Sequence, residues 1–157
     1  MIRLWIPGHP RTKGSLDERH QDTPQSKKWR ALMAQALRYE RERIGMPTAP
    51  KGIAVAVSAK FFLPTGDATT PNCGDLDKLL RNLLDAGTDA GVWADDVQVV
   101  RILSDKVAAG GGPQGVVLGI WAPDPVELAG WQRGAREARL AALALAGLDI
   151  PSDAPLG

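Results

Sequence analysis

The spacing of apolar and polar positions divides the chain into strand-like and helix-like segments. Ile2–Ile6 is a short apolar run closed by Pro7-Gly8, which reads as a first strand ending in a turn. His9–Gln21 follows without apolar periodicity, and its Pro10, Arg11, Lys13, Gly14, Arg19 and His20 make it a basic loop. Thr23-Pro24 has the form of a helix N-cap followed by proline at the first helical position. Trp29, Leu32, Met33, Ala36 and Leu37 then recur at helical spacing, one apolar stripe that Gly45 and Pro47 end. Lys27, Lys28, Arg30, Arg38, Arg41 and Arg43 occupy its other faces.

At Ile53 the period changes to two. Ile53, Val55, Val57, Ala59 and Phe61 share one face of an extended segment, so Ile53–Leu63 is expected as a long strand. Pro64-Thr65-Gly66-Asp67 turns the chain, and after Asp75 the residues Leu76, Leu79, Leu80, Leu83 and Leu84 form the cleanest amphipathic stripe. This second helix should stop near Gly87–Gly91. Val97–Ser104 and Val116–Trp121 read as strands joined across Gly110-Gly111-Gly112-Pro113. Asp124-Pro125-Val126-Glu127 resembles a capped start for a third helix running to about Ala146, with Gly130 and Gly134 weakening it. The order predicts an α+β domain: a mixed sheet of about four strands, two main helices and a C-terminal helix. Residues 1–122 form the expected domain, and 123–157 a helix and tail of unassigned role.

A length of 157 residues fits one domain and lets a single core bury roughly 70% of the unfolded surface. One cysteine, Cys73, and two histidines, His9 and His20, exclude a disulfide framework and leave too few soft ligands for structural zinc. Every apolar run is broken well short of the ~20 residues a membrane span needs. The N-terminus lacks a signal-length apolar region, so a cytoplasmic location is expected. Charge is segregated: residues 1–60 hold 12 Lys/Arg against 5 Asp/Glu, and residues 61–157 hold 7 against 13. This division fits a basic surface for a polyanion beside a carboxylate cluster, or charges that mix again on folding.

The chemistry concentrates in Gly74–Val100. Asp75 and Asp77 straddle the start of the second helix, and Asp77, Arg81 and Asp85 recur every four residues away from the leucine stripe. Asp95-Asp96 follows Trp93, just before a strand. Packing of the helix start against the strand start would give a pocket of four carboxylates and one guanidinium. Such a pocket needs a compensating cation, and oxygen ligands alone select a hard divalent ion, Mg2+ or Mn2+. Plainer roles exist for each residue. In these, Asp75 or Asp77 would cap the helix, Asp85 would pair with Arg81, and Asp95-Asp96 would form a turn. Trp29 and Trp93 fit a core better than a base-stacking platform.

The window resembles the RusA family of Holliday-junction resolvases, which are endodeoxyribonucleases. The residues that carry the likeness are Asp75-Leu76-Asp77, Arg81, Asp85-Ala86, Trp93, Asp95-Asp96 and Gln98-Val99, with Pro7-Gly8-His9-Pro10 and Lys13-Gly14 upstream. The likeness covers roughly residues 1–122. It implies Mg2+-dependent (or Mn2+-dependent) nicking of branched DNA, a four-way junction, by a homodimer with two equivalent sites. By resemblance Asp75, Asp77 and Asp96 are the metal ligands, Asp95 supports the site in its own subunit or across the dimer, and Arg81 steadies the phosphate. Arg11, Lys13, Lys27, Lys28, Arg30 and Lys78 are the expected DNA contacts. Two positions depart from the pattern: Lys78 where many members have asparagine, and Arg81 where lysine is expected. An arginine binds charge but cannot shuttle a proton. The more cationic site also fits a structure-specific DNA-binding protein that does not cut. The acidic cluster alone would permit a hydrolase of small phosphorylated substrates.

Overall fold

The computed structural model describes residues 1–12, 23–64 and 75–145, with side chains of the last helix described to residue 138. The basic loop beyond Thr12, with Lys13, Gly14, Arg19 and His20, lies outside the described residues. So do the turn after Pro64, Cys73 and the tail from residue 146.

The elements are β1 (Ile2–Pro7), α1 (Pro24–Arg43), β2 (Val55–Leu63), α2 (Leu76–Asp89), β3 (Val99–Ala108), β4 (Gly115–Trp121) and α3 (Pro125–Leu145). A single 3₁₀ turn, Asp96–Gln98, precedes β3. The α+β expectation holds, with four strands in the order β1-β4-β2-β3. β4 is antiparallel to both β1 and β2, whereas β3 runs parallel to β2. Two apolar strands joined by a glycine-rich turn suggest a hairpin, but β2 lies between β3 and β4 and the turn has to span it.

Thr23 starts α1 as expected: its Oγ1 accepts from the Ser26 N–H at 3.2 Å, and Pro24 needs no such partner. Trp29, Met33, Ala34 and Leu37 are buried. Leu32, expected in the stripe, stands at its margin and is 40% exposed. On β2 the residues Val55, Val57, Ala59, Phe61 and Leu63 are buried as the alternation requires, Ala56 of the other face is buried as well, and Ile53 lies outside the strand and faces solvent. β3 begins two residues later and runs four residues further than its pattern indicated, because a 3₁₀ turn takes Asp96–Gln98 and pairing with β2 continues through Ala108. Val57, Phe61, Leu79, Leu83, Leu118 and Ile120 meet Trp93 and the α1 stripe in one core. Each such fully buried side chain contributes about 1.5–3 kcal/mol of transfer free energy.

Gly87 lies inside α2 rather than ending it. A Cβ there would come within 2.0 Å of the Trp93 ring, so glycine is what lets the indole lie flat on the helix. The chain leaves α2 at Gly91, whose φ of +68° is costly for any residue with a side chain. Trp93 is core, as its composition suggested, and its Nε1 donates to Thr88 Oγ1 at 3.0 Å.

Contacts along the chain separate two compact units, Met1–Ala122 and Pro123–Gly157. In the second, α3 opens with a reciprocal box. The Glu127 N–H donates to Asp124 Oδ1 at 2.7 Å, and the Asp124 N–H donates to Glu127 Oε2 at 3.3 Å. Among the described residues no helix is long and apolar enough to cross a membrane.

Candidate active site

Helix α2 carries carboxylates at both ends, and the two ends are built differently. Asp75 is the N-cap residue, in extended backbone (φ −78°, ψ 132°), but its side chain makes no capping bond. It takes Lys78 Nζ at 2.5 Å instead. Asp77, in the first turn, is paired with Arg81 Nη2 at 3.3 Å. Both carboxylates sit where the partial positive charge of the helix N-terminus favours them. Hydrogen bonding and charge from Lys78 hold the Asp75 carboxyl below its ordinary pKa. Desolvation opposes the shift, and Lys106 of β3 adds to it.

At the other end, Arg30 of α1 reaches across to α2. Its Nη1 stands 3.4 Å from Asp85 Oδ2 and its Nε 3.2 Å from Asp89 Oδ2. Arg38 donates to the Asp89 carbonyl at 2.8 Å, and Arg41 to the Gly91 carbonyl at 2.9 Å and to Thr48 Oγ1 at 2.7 Å. Three arginines of α1 thus satisfy the carbonyls and acids at the negative end of the α2 dipole. The expected pair of Asp85 with Arg81 is not formed, since Arg81 turns back one turn to Asp77. Part of the charge segregation along the chain is consumed inside the fold, basic α1 against acidic α2.

Asp95 and Asp96 belong to this second end. Asp95 Oδ1 accepts from the Val97 N–H at 3.1 Å and so caps the 3₁₀ turn. Asp96 is exposed, and among the described residues nothing bonds to its side chain. An open cleft of about 400 Å³ is lined by Arg30, Asp85, Thr88, Asp89, Asp95 and Asp96. A pocket of four carboxylates and one guanidinium was expected, and this cleft has that inventory, but its partners for Asp95-Asp96 come from the far end of the helix. The reason is geometric. At 1.5 Å per residue, α2 places Asp75 about 21 Å from Asp89. Lys106, whose charge Asp75 feels, stands seven residues along β3 from Val99, about 23 Å at 3.3 Å per residue. Asp75 and Asp77 therefore lie toward one end of β3, and Asp95-Asp96 at the other. Among the described residues no group of three acids, histidines or cysteines stands together as an ion site. The donor chemistry itself suits a hard divalent ion, being carboxylate oxygen throughout.

The expected DNA contacts divide likewise. Lys27 and Lys28 are exposed near the start of α1, and Arg11 is exposed in the loop before it. Arg30 and Lys78 are half-buried and hold aspartates. Lys13 lies outside the described residues. Sequence reasoning missed Asn82, which is fully buried on α2. Its Nδ2 donates to the Arg11 carbonyl at 3.0 Å and to Ser26 Oγ at 3.1 Å. It pins the beginning of the basic loop and the start of α1 to one helix. An asparagine between leucines was the available signal. His9, read as a loop residue, bonds Gln114.

Compared with protein-family models, the chain matches the one described as endodeoxyribonuclease RusA over residues 7–120. No curated protein matches it.

Proposed function

The chain belongs to the RusA family of endodeoxyribonucleases, and from that premise we propose that it nicks four-way DNA junctions as a homodimer, using Mg2+ or Mn2+. The family gives the class, a junction-resolving endonuclease that hydrolyses phosphodiesters. The finer reading rests on one observation, the two-ended arrangement of acids along α2. Asp75, Asp77 and Asp96 would hold the ion. Since α2 keeps Asp96 far from the other two within one chain, the three meet only if a second copy supplies Asp96. A two-fold pair then carries two equivalent sites, as two symmetric nicks require.

The side chains of this chain have separable tasks in that reaction. Lys78 occupies the Asp75 carboxylate until a stronger cation arrives. Arg81, 68% exposed at the side chain, is free to swing from Asp77 to a phosphate, which it grips bidentately. It can steady charge on the phosphate but cannot carry a proton, so water activation does not pass through it. Lys27 and Lys28 bind flanking phosphates without reading sequence. An ion held by Asp75, Asp77 and Asp96 would lower the pKa of a bound water and offset charge on the phosphate.

The test is a labelled four-way junction beside a linear duplex of matched sequence, each with protein in Mg2+, in Mn2+ and in EDTA. Paired, metal-dependent nicks confined to the junction support the reading. Tight junction binding without product in any metal would replace it with a DNA-binding role for the same fold. The Lys78–Asp75 pair gives that alternative a physical basis, because an internal cation already neutralises one ligand.

A further inference from the structure

The geometry assigns Gln98 as the positioning residue of the Asp95-Asp96 pair. Its side chain is buried, with 6% of the residue exposed, yet every polar atom of its amide is used. Oε1 accepts two backbone N–H groups, from Ala94 at 2.9 Å and from Asp95 at 3.1 Å. Nε2 donates to the carbonyls of Pro50 at 2.8 Å and Ile53 at 3.1 Å, with the Ala49 carbonyl further off at 3.4 Å. One amide therefore joins the segment entering the acidic pair to the connection between α1 and β2.

Each half of that arrangement has a consequence. The Ala94 and Asp95 N–H groups lie in the loop between α2 and the 3₁₀ turn, where no helix or strand partner exists for them. The Gln98 oxygen supplies it and so sets the backbone from which the Asp95 carboxylate turns to cap Val97. The side chain of Asp96, the next residue, has no bond among the described residues, while its carbonyl accepts from the Val99 N–H. Its direction is therefore inherited from this backbone. The donor half matters because the segment it grips is independently fixed, with the Ala49 N–H bonded to the Val92 carbonyl at 3.0 Å. Gln98 is thus anchored on one side and orders the acids on the other, in the way buried outer partners orient metal-binding carboxylates. Glutamine is the residue that does both, since the job needs an acceptor and a donor on one planar group.

The inference rests on the nuclease reading for its activity arm only, and amide hydrogen exchange supplies an arm that does not. Gln98→Met keeps the length and removes both roles. In this variant the Ala94 and Asp95 amides should lose exchange protection while those of Leu83 and Ala86 in α2 keep theirs. Nicking should fall about 10–100-fold and the Mg2+ needed for half-maximal cutting should rise, with junction affinity in EDTA within about two-fold of wild type. Leu37→Ala, a cavity in the α1 stripe, serves as the control: it lowers the melting temperature without changing the Mg2+ requirement. Should Gln98→Met not fold, Gln98→Glu keeps an oxygen toward Ala94 and Asp95 and sets a second oxygen against the Pro50 and Ile53 carbonyls. It should move the Mg2+ requirement in the same direction. Unchanged protection at Ala94 and Asp95, or nicking and Mg2+ requirement within about two-fold of wild type, overturns the assignment. If wild type itself makes no nicks, the nuclease reading has failed, and exchange at Ala94 and Asp95 alone decides on Gln98.

Discussion

At its first turn α2 carries two aspartates paired with cations three and four residues along the same helix. At its last turn it carries two more, and an arginine from another helix holds them. The first pairs are sequence-local and exposed on the acid side, where screening leaves an ion pair weak. In the second, Arg30 and Asp85 are half-buried and Asp89 is more exposed, and both acids belong to a set with three arginines shared between α1 and α2. An acid whose partner is held so weakly can exchange that partner for a metal ion or give it up to a phosphate. An acid clamped between two helices is part of what holds the helices together. On the proposed reading, one helix separates catalysis from architecture along its length.

The comparison breaks most sharply in a mixing experiment. Asp77→Asn and Asp96→Asn proteins should each be inactive, with nicking at least about 100-fold down, while each still binds junctions. If a site draws Asp77 and Asp96 from different copies, a mixed dimer contains one intact site and one doubly damaged site. Mixing the two variants should then restore single nicks without paired cleavage, read on a denaturing gel. No recovery after verified subunit exchange would place all three acids in one chain and remove the main support for the dimeric site.

The next effect concerns stability. Gly87→Ala drives a methyl into the Trp93 ring. Overpacking of this kind costs about 1–3 kcal/mol, offset by up to about 1 kcal/mol of helix propensity. A lower denaturation midpoint with an unchanged slope is the expected result. A midpoint equal to wild type would mean that the last turn of α2 is as yielding as the first.

Arg30→Gln and Arg81→Gln set the two ends side by side. Arg30→Gln should cost about 1 kcal/mol, chiefly because Asp85 loses this partner in a half-buried setting, with Asp89 more exposed. Arg81→Gln should leave stability within about 0.5 kcal/mol of wild type and instead lower the nicking rate. Urea melts and single-turnover cleavage measure both. The opposite pattern would exchange the roles assigned to the two arginines.

This difference also explains how much could be read in advance. The leucine stripe from Leu76 to Leu84, the Thr23-Pro24 cap and the alternation of Val55–Phe61 depend on neighbours a few residues away, so periodicity exposes them. The Lys78 and Arg81 pairs lie at helical spacing from their acids and are legible in the same sense, although Arg81 chose Asp77 over Asp85. Arg30 with Asp85 spans 55 positions, and Gln98 with Pro50 spans 48. No local period encodes such contacts. The position of β2 between β3 and β4 was hidden for the same reason, since a glycine-rich turn looks alike whether it closes a hairpin or crosses a strand. The separation of the acids was in principle calculable from the rise of a 14-residue helix, but only once Asp95-Asp96 was known to lie beside the C-terminal end of α2.

The smallest effect is the titration of Asp75, and it bears on the metal role proposed for the first end of α2. Lys78 lowers the folded-state pKa of this carboxyl from 3.8, chiefly by hydrogen bonding and then by charge. A depressed carboxyl contributes stability that is fully present above the unfolded value and is lost as pH falls through the folded one. The affected window therefore lies just below pH 3.8, well under any pH at which cutting would be assayed. In Lys78→Gln the Asp75 carboxyl resonance should titrate closer to the ordinary value, and the small stability difference from wild type should vanish at the acid end of the window. High salt should shrink the same difference, because the pair is solvated and screened. At neutral pH Asp75 is ionised with or without Lys78, so the lysine is not needed to prepare the ligand, and removing it should ease metal entry. A lower Mg2+ requirement in Lys78→Gln would identify the lysine as a competitor of the ion. A higher one would show that the ammonium helps to hold the phosphate the ion acts on.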